Sequence, residues 1–224
     1  FRRGKLNKLF LLIFLFSNVY AEEEFKFVET NGFSNYPPSV IFHASGLRKK
    51  GNMFSVDVKK INKVLDSAGY FEDYDVLKKD GKLIINVTER IPLYRILACS
   101  DVNYLFEIDS DYRIISSGRV FSKMPLLVIN TSDLKNGKLS ERIYALLDKI
   151  EKMKTSSETA NEIEEIDLTD GRKAVLTLRN RRTKFCFFAE KMSFAKIDAL
   201  TGYFDRYSVY PEYVELFSEN AVLY

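Results

Sequence analysis

Residues able to carry chemistry are scarce in this chain. Its 224 residues include one histidine, His43, two cysteines, Cys99 and Cys186, and no tryptophan. Catalysis needs a nucleophile with a base, a set of metal ligands, or paired carboxylates in one site. His43 has no evident base-orienting companion and falls inside a short predicted helix, where a structural role is the ordinary reading. Cys99 and Cys186 match no metal spacing. Both lie in apolar runs, "ILACSD" and "KFCFFA", which suits packing, and a disulfide between them stays open only for an exported chain in an oxidising compartment. The acidic stretch "EIEEIDLTD", Glu162 to Asp170, has the charge for a cation site. Its acids alternate with Ile163, Ile166 and Leu168, which reads better as a strand with one solvated face. No G-x-S-x-G and no phosphate loop occurs. The sequence reads as a non-enzyme, with no metal and no cofactor.

The totals are those of a folded protein. Hydrophobic residues make up 46% and charged residues 29% of the chain, which allows one or two domains with real cores. Thirty-four Lys and Arg stand against 31 Asp and Glu, for a net charge of +3. Only "LRKKG" and "RNRRTK" are dense in base, so nucleic acid is not an expected partner.

The N-terminus points to export. Arg2, Arg3, Lys5 and Lys8 precede an apolar run, Leu9–Phe16, and Glu22, Glu23 and Glu24 follow it. A basic flank before an apolar segment and an acidic one after it predicts the N-terminus inside and the bulk of the chain outside the cytoplasm. From Leu9 to Ala21 a helix rises only ~20 Å, short of the ~30 Å hydrocarbon core. Two readings stay open: a signal peptide cleaved after Val19-Tyr20-Ala21, or a retained anchor over 6–21 with Lys5 and Lys8 snorkelling. A buried core helix fits the charged flanks poorly. The chain starts at Phe1 without Met, which suggests an unusual start or a shortened sequence.

The pattern along the rest of the chain predicts an α+β protein. Phe25–Glu29 reads as a short strand, then Ser34–Ser45, with Pro37-Pro38 ahead and Gly46 behind, as a short helix. "GLRKKGNMFSVD" reads as a loop with Met53-Phe54 as its apolar anchor. Asp57 or Ser55 can cap a helix whose Val58, Ile61, Val64, Leu65 and Ala68 share a face and which Gly69 ends. Tyr70–Leu77 and Lys82–Glu89 form a hairpin around Asp80-Gly81, and Pro92, which cannot donate to a ladder, stops the pairing. Leu93–Leu97, Tyr104–Ile108, the later part of "DSDYRIISSG", and "MPLLVI" are further strands. A helix capped at Ser140 buries Ile143, Leu146, Leu147 and Ile150; "KTSSETANE" is a polar loop. Strands at Ile163–Leu168, Ala174–Arg179 and Lys184–Ala189 lead to a helix with Phe194, Ile197, Leu200 and Phe204 on one side. Tyr213–Phe217, a turn at Ser218-Glu219-Asn220, and Ala221–Tyr224 close the chain.

These residues resemble a known family. The stretch from Phe27 to Ile96 is similar to a POTRA module of the FtsQ/DivIB bacterial cell-division proteins, with Asn31-Gly32 after the first strand, Gly46 before a basic loop, Asn52-Met53-Phe54 before the second helix, and Glu89-Arg90-Ile91-Pro92 as the E-R-x-P ending. "YLFEIDSDYRIISSG" followed by "MPLLVI" resembles the family's next segment, although Tyr112-Arg113 follows Asp111 where the family usually has Gly close behind. The last sixty residues resemble its terminal β region.

The resemblance implies three parts: a cytoplasmic stub with membrane anchor or signal peptide at 1–24, a βααββ POTRA domain at 25–92, and a mostly antiparallel β domain with two helices at 93–224. Glu89 and Arg90 are then either a surface ion pair or an element of the link between domains. The implied protein spans the bacterial inner membrane once, works at the division septum, and is a scaffold. Its implied partners are FtsB/DivIC-like and FtsL-like coiled-coil membrane proteins at the terminal β region, other divisome proteins at the POTRA domain, and the membrane through 6–21. A periplasmic POTRA-type assembly or chaperone module is the alternative.

The physics of the tail agrees with strand addition, in which an open sheet edge pairs with a partner's strand. Ala221-Val222-Leu223-Tyr224 carries none of the Lys or Pro that blunt edges. In Tyr213–Phe217, alternation turns Val214 and Leu216 to the core and Tyr213, Glu215 and Phe217 outward. Such a tail either completes its own sheet or awaits another strand. Carried over by position, the contact residues are Tyr213, Glu215, Leu216, Phe217, Ala221, Val222, Leu223 and Tyr224, with Arg172 as the nearest match to a basic contact.

Overall fold

In the computed structural model, residues 22–179, 181–217 and 220–224 are described. The apolar segment expected to anchor or export the chain, 6–21, lies outside them. The described residues form an α+β protein, mostly sheet, with five α-helices. They fall into two units: one takes 22–33, Pro37–Ser67 and Asp73–Thr88, the other Ser34–Tyr36, Ala68–Glu72 and Glu89–Tyr224.

The first unit contains two small sheets and two helices. Strands β1 (Glu23–Phe25), β3 (Arg48–Lys50) and β4 (Met53–Val56) pair in the order β1-β4-β3. The stretch expected as a loop is therefore the β3–β4 hairpin; Gly51, at φ 58°, supplies its turn, and Glu22 binds Arg48, Lys50 and Ser55 across it. The second sheet has β2 (Phe27–Asn31), β6 (Lys82–Glu89) and β5 (Phe71–Lys79) in the order β2-β6-β5, with β2 parallel to β6. Asp80 and Gly81, both at positive φ (52° and 72°), make the two-residue turn between β5 and β6, as a hairpin following right-twisted strands requires.

Helix α1 (Pro38–Ser45) starts on a proline that has no N–H to satisfy, and Gly46 ends it in the left-handed region at φ 74°. Helix α2 (Val58–Ser67) buries Val58, Ile61 and Leu65. Of its two candidate caps, Asp57 does the work: its carboxylate accepts the Lys59 N–H at 3.0 Å. Gly32 is forced by space as well as by its φ of 83°, because a Cβ there would lie 1.9 Å from the Val87 carbonyl oxygen.

The second unit is built on a nine-stranded sheet. Its strands are β7 (Pro92–Cys99), β8 (Tyr104–Asp109), β9 (Ile114–Ser117), β10 (Leu126–Asn130), β13 (Ile163–Asp167), β14 (Lys173–Leu178), β15 (Lys184–Phe188), β16 (Tyr213–Glu215) and β17 (Val222–Leu223). The order is β17-β16-β15-β14-β13-β10-β7-β8-β9. A two-stranded ribbon, β11 (Leu134–Lys135) with β12 (Lys138–Leu139), precedes helix α3 (Glu141–Lys154). Helices α3 and α4 (Glu158–Asn161) cross from β10 to its parallel neighbour β13, and α5 (Phe194–Tyr207) crosses from β15 to its parallel neighbour β16. Parallel pairing needs such crossovers, so the sheet mixes parallel pairs with antiparallel ones.

One continuous core joins the sheet to the helices. Ile143, Leu146, Leu147 and Ile150 of α3 pack with Tyr94, Ile96, Leu127, Ile129, Leu176, Phe185 and Val214 of the sheet. Each such side chain contributes about 1.5–3 kcal/mol when fully buried. On α5 the buried line is Phe194, Ile197, Thr201 and Phe204; Leu200, expected inside, sits on the shoulder and is only partly covered. The stretch expected as a polar loop contains α4, where Ser157 caps the helix by accepting the Ala160 N–H, and Thr159 and Ala160 are buried. A register shift between Ile163 and Glu165 lets both Ile163 and Ile166 face the core, a spacing that strict alternation forbids.

The segment around Pro92 is a changeover between ladders. Strand β6 ends at Glu89, and β7 begins at Pro92 opposite Asp109. Glu89 and Arg90 do not pair with each other. Glu89 accepts the backbone N–H groups of Ser34, Asn35 and Tyr36, and Arg90 lies 3.6 Å from nearly buried Asp109. At the turn where the family has Gly, Tyr112 takes the left-handed conformation at φ 59°. Its hydroxyl donates to Asp148 at 2.7 Å and its ring packs on Tyr144, which offsets the strain of a side chain there. Cys99 and Cys186 are free thiols. They lie on β7 and β15, four strands apart, roughly 19 Å at the usual strand spacing and far beyond disulfide reach.

Candidate functional site

The last two strands form one end of the large sheet. β16 is held by β15, with Phe185 opposite Val214 and Cys186 opposite Glu215. Val214 is fully buried and is the peg that fixes the strand. β17 returns antiparallel, Val214 opposite Leu223 and Glu215 opposite Val222. Beyond it the sheet has no further strand among the described residues.

The hydrogen-bond pattern shows which backbone groups face outward. Tyr224 N–H donates to the Tyr213 carbonyl at 3.0 Å, and Tyr213 N–H donates back to Tyr224 at 3.5 Å. In an antiparallel ladder a bonded pair alternates with an unbonded one. Val214 and Leu223 are therefore the unbonded pair, and Leu223 turns its N–H and C=O away from β16. Val222, Leu223 and Tyr224 are 47, 45 and 66% exposed.

Two other margins of the described sheets are treated differently. At the far end, β9 has the 68–72 segment against it: a Cβ on Gly69 would meet the Ile115 carbonyl oxygen at 3.4 Å. In the first unit the margin β3 is Arg48-Lys49-Lys50, exposed throughout. Charge of this kind discourages a second chain from pairing. Among the described residues, β17 carries neither cover nor charge.

The side chains expected at the site divide into three groups. Tyr213 and Tyr224 come together, with ring centroids 6.3 Å apart, and the Tyr224 hydroxyl donates to Glu215 at 3.4 Å. The Tyr213 phenol is pushed up to about 12, first by its hydrogen bond with the Cys186 thiol and then by burial and the nearby negative groups. Leu216 and Ala221 are partly buried against the core, so they support the edge and offer little surface. Phe217 faces outward but is occupied, lying 4.8 Å from Phe188 and 4.9 Å below the Lys173 ammonium. Arg172 is exposed just ahead of β14, where its carbonyl accepts the Ala189 N–H; β15 and β16 separate that strand from β17.

Residue types alone gave the strand but not the outward amides of Leu223, because those depend on the register of β17 against β16. His43 stands exposed in the last turn of α1, where a base suits the negative end of the helix. Among the described residues no three His, Cys, Asp or Glu side chains gather as a metal site, and no helix is long and apolar enough to cross a membrane. No protein-family model matches this chain, and no curated protein matches it.

Proposed function

We propose that this chain is a non-catalytic scaffold that accepts a partner's strand on β17, in the manner of the FtsQ/DivIB division proteins it resembles. The observation that carries this reading is the outward pair of backbone groups on Leu223, on a strand with one neighbour among the described residues and an apolar, uncharged surface. A partner strand laid beside it gains main-chain hydrogen bonds for affinity and side-chain contacts with Val222 and Tyr224 for specificity.

The first unit supports the same reading. Its order, strand, helix, helix, strand, strand, with β2 parallel to β6 and β6 between β2 and β5, is compatible with a POTRA module; the β3–β4 ribbon is added between the helices. On this reading the 6–21 segment tethers the chain to the inner membrane, and the partner is an FtsB/DivIC-like protein, itself coiled with an FtsL-like one, at the division septum.

The test is co-purification from membranes with Leu223→Pro and, separately, Val222→Lys. Proline removes the outward N–H without touching the bonds between Tyr213 and Tyr224. Loss of a small coiled-coil membrane protein from both variants, with folding intact by circular dichroism, is the expected result. Unchanged capture by Leu223→Pro would sink the proposal, and capture of unfolded outer-membrane proteins in its place would favour the assembly-module alternative.

A further inference from the structure

Arg179, Arg181 and Arg182, from the basic cluster of the sequence, lie between β14 and β15 and have no part in the edge described above. One of these arginines is fully used. Arg181 forks onto Asp205 of α5 at 2.8 and 3.0 Å and reaches Glu162 at 3.3 Å. Arg179 and Arg182 are exposed, and neither has an ion-pair partner among the described residues.

Both line a cleft of about 610 Å³ together with Tyr210. Arg179 also lines an adjoining cleft of about 380 Å³ with Arg95, Lys123 and Glu164. Arg181 is shared between Glu162 and Asp205, and across the two clefts Arg95, Lys123, Arg179, Arg181 and Arg182 stand against Glu162, Glu164 and Asp205, which leaves an excess of positive charge. Tyr210, just past the end of α5, brings aromatic surface to the first cleft and is 59% exposed.

Arginine and tyrosine are the side chains that anchor protein interfaces. A guanidinium presents a planar fork that matches a carboxylate. The surroundings favour a peptide over a membrane or nucleic acid, because those flat polyanions call for a broad field of one sign. Here the cations line a concavity and are interleaved with Glu162, Glu164 and Asp205.

We propose that the double cleft is a second partner-binding surface, which takes an acidic peptide segment whose carboxylates are gripped by Arg179 and Arg182 and whose apolar side chains pack on Tyr210. Its lining residues are distinct from those of β17.

The test is fluorescence anisotropy with a labelled peptide of alternating Glu and Leu. The wild-type chain is expected to bind it, with an affinity that falls as salt is raised. Arg179→Glu with Arg182→Glu weakens binding by roughly tenfold or more. Lysine at both positions gives an intermediate loss, since it keeps the charge but not the fork, and Leu223→Pro binds as the wild type does. Both arginines are exposed, so circular dichroism should show the fold intact. Absence of binding by the wild type, or equal binding by the Glu variant, overturns the proposal. So does loss with Leu223→Pro alone, which assigns the peptide to the edge. Arginine-dependent binding to phosphatidylglycerol vesicles in place of the peptide also overturns it and makes the surface a lipid site.

Discussion

Glu89 holds the backbone N–H of Tyr36 at 2.9 Å, and the same carboxylate takes the N–H groups of Ser34 and Asn35 at 3.0 and 2.8 Å. Three donors from consecutive residues converge on one side chain, which pins a turn that has no strand to hold it. Glu89→Ala should cost about 1–3 kcal/mol, since charged hydrogen bonds are strong but water can reach part of this site. Glu89→Gln, which keeps one acceptor oxygen, should fall between. Urea unfolding measures both; a variant as stable as the wild type would show that the turn holds itself.

Gly32 offers a sharper test of geometry. Alanine there must move the Val87 carbonyl oxygen, 1.9 Å from the added carbon, and also adopt φ of 83°. We expect Gly32→Ala to lose about 3 kcal/mol or more, read as a fall in the urea midpoint or in soluble yield. A change under ~0.5 kcal/mol, the range of ordinary surface substitutions, would contradict the packing of β2 against β6.

Glu107 is wholly buried and satisfied by three donors: the Ser116 hydroxyl at 2.8 Å and the N–H groups of Phe121 and Ser122 at 3.1 and 2.8 Å. It closes the 118–124 segment over β8. Glu107→Leu leaves all three donors unpaired, and an expected loss of about 2–5 kcal/mol follows. Hydrogen exchange should open first at Phe121 and Ser122. Protection there equal to that of the wild type would refute the role.

Alkaline pH should weaken the second unit. Tyr94 lies in the core, and its hydroxyl donates to Glu151 of α3 at 2.5 Å. Burial, then this hydrogen bond and the carboxylate's charge, push the phenol well above its ordinary value, and Tyr213 is pushed up to about 12. Unfolded tyrosines ionise near 10. Above that pH the folded chain holds more protons than the unfolded one, so stability is intact below about pH 10 and declines as pH rises toward the folded values. The decline is about 1.4 kcal/mol per pH unit for the buried Tyr94 phenol, and less for Tyr213, where solvent screens the interaction. Tyr94→Phe should make it shallower, and denaturation at stepped alkaline pH measures the difference. An unchanged slope in Tyr94→Phe would show that the decline comes from elsewhere.

How much of this was legible beforehand depended on whether local pattern or distant pairing decided the outcome. The four apolar positions of α3 follow helical spacing without interruption, and all four are buried. Asp80-Gly81 announces its hairpin because few other residues accept two positive φ values in succession. The β3–β4 ribbon was hidden, since Arg48-Lys49-Lys50 is too charged to look like a strand and is one only because β4 also pairs with β1. Helix α4 was hidden by its polarity; burial of Thr159 and Ala160 beneath neighbouring helices carries it. At the candidate site the strand residues could be read, whereas the seclusion of Leu216 and Ala221, the occupied ring of Phe217 and the distance of Arg172 from β17 all follow from strand order. That order is set by three parallel connections, β7 to β10, β10 to β13 and β15 to β16, which no local pattern records.

The same three connections have a kinetic consequence. β13, β14 and β15 are consecutive and antiparallel, so they can zip together over short loops. The parallel pairs of β7 with β10, β10 with β13, and β15 with β16 close only after a long stretch of chain has been gathered in. The central meander should therefore form early, with the two flanks joining late and slowly. Substitutions at Leu176 should slow refolding in stopped-flow experiments, while substitutions at Val214 should mainly hasten unfolding. The β16–β17 margin would then be among the last parts to set.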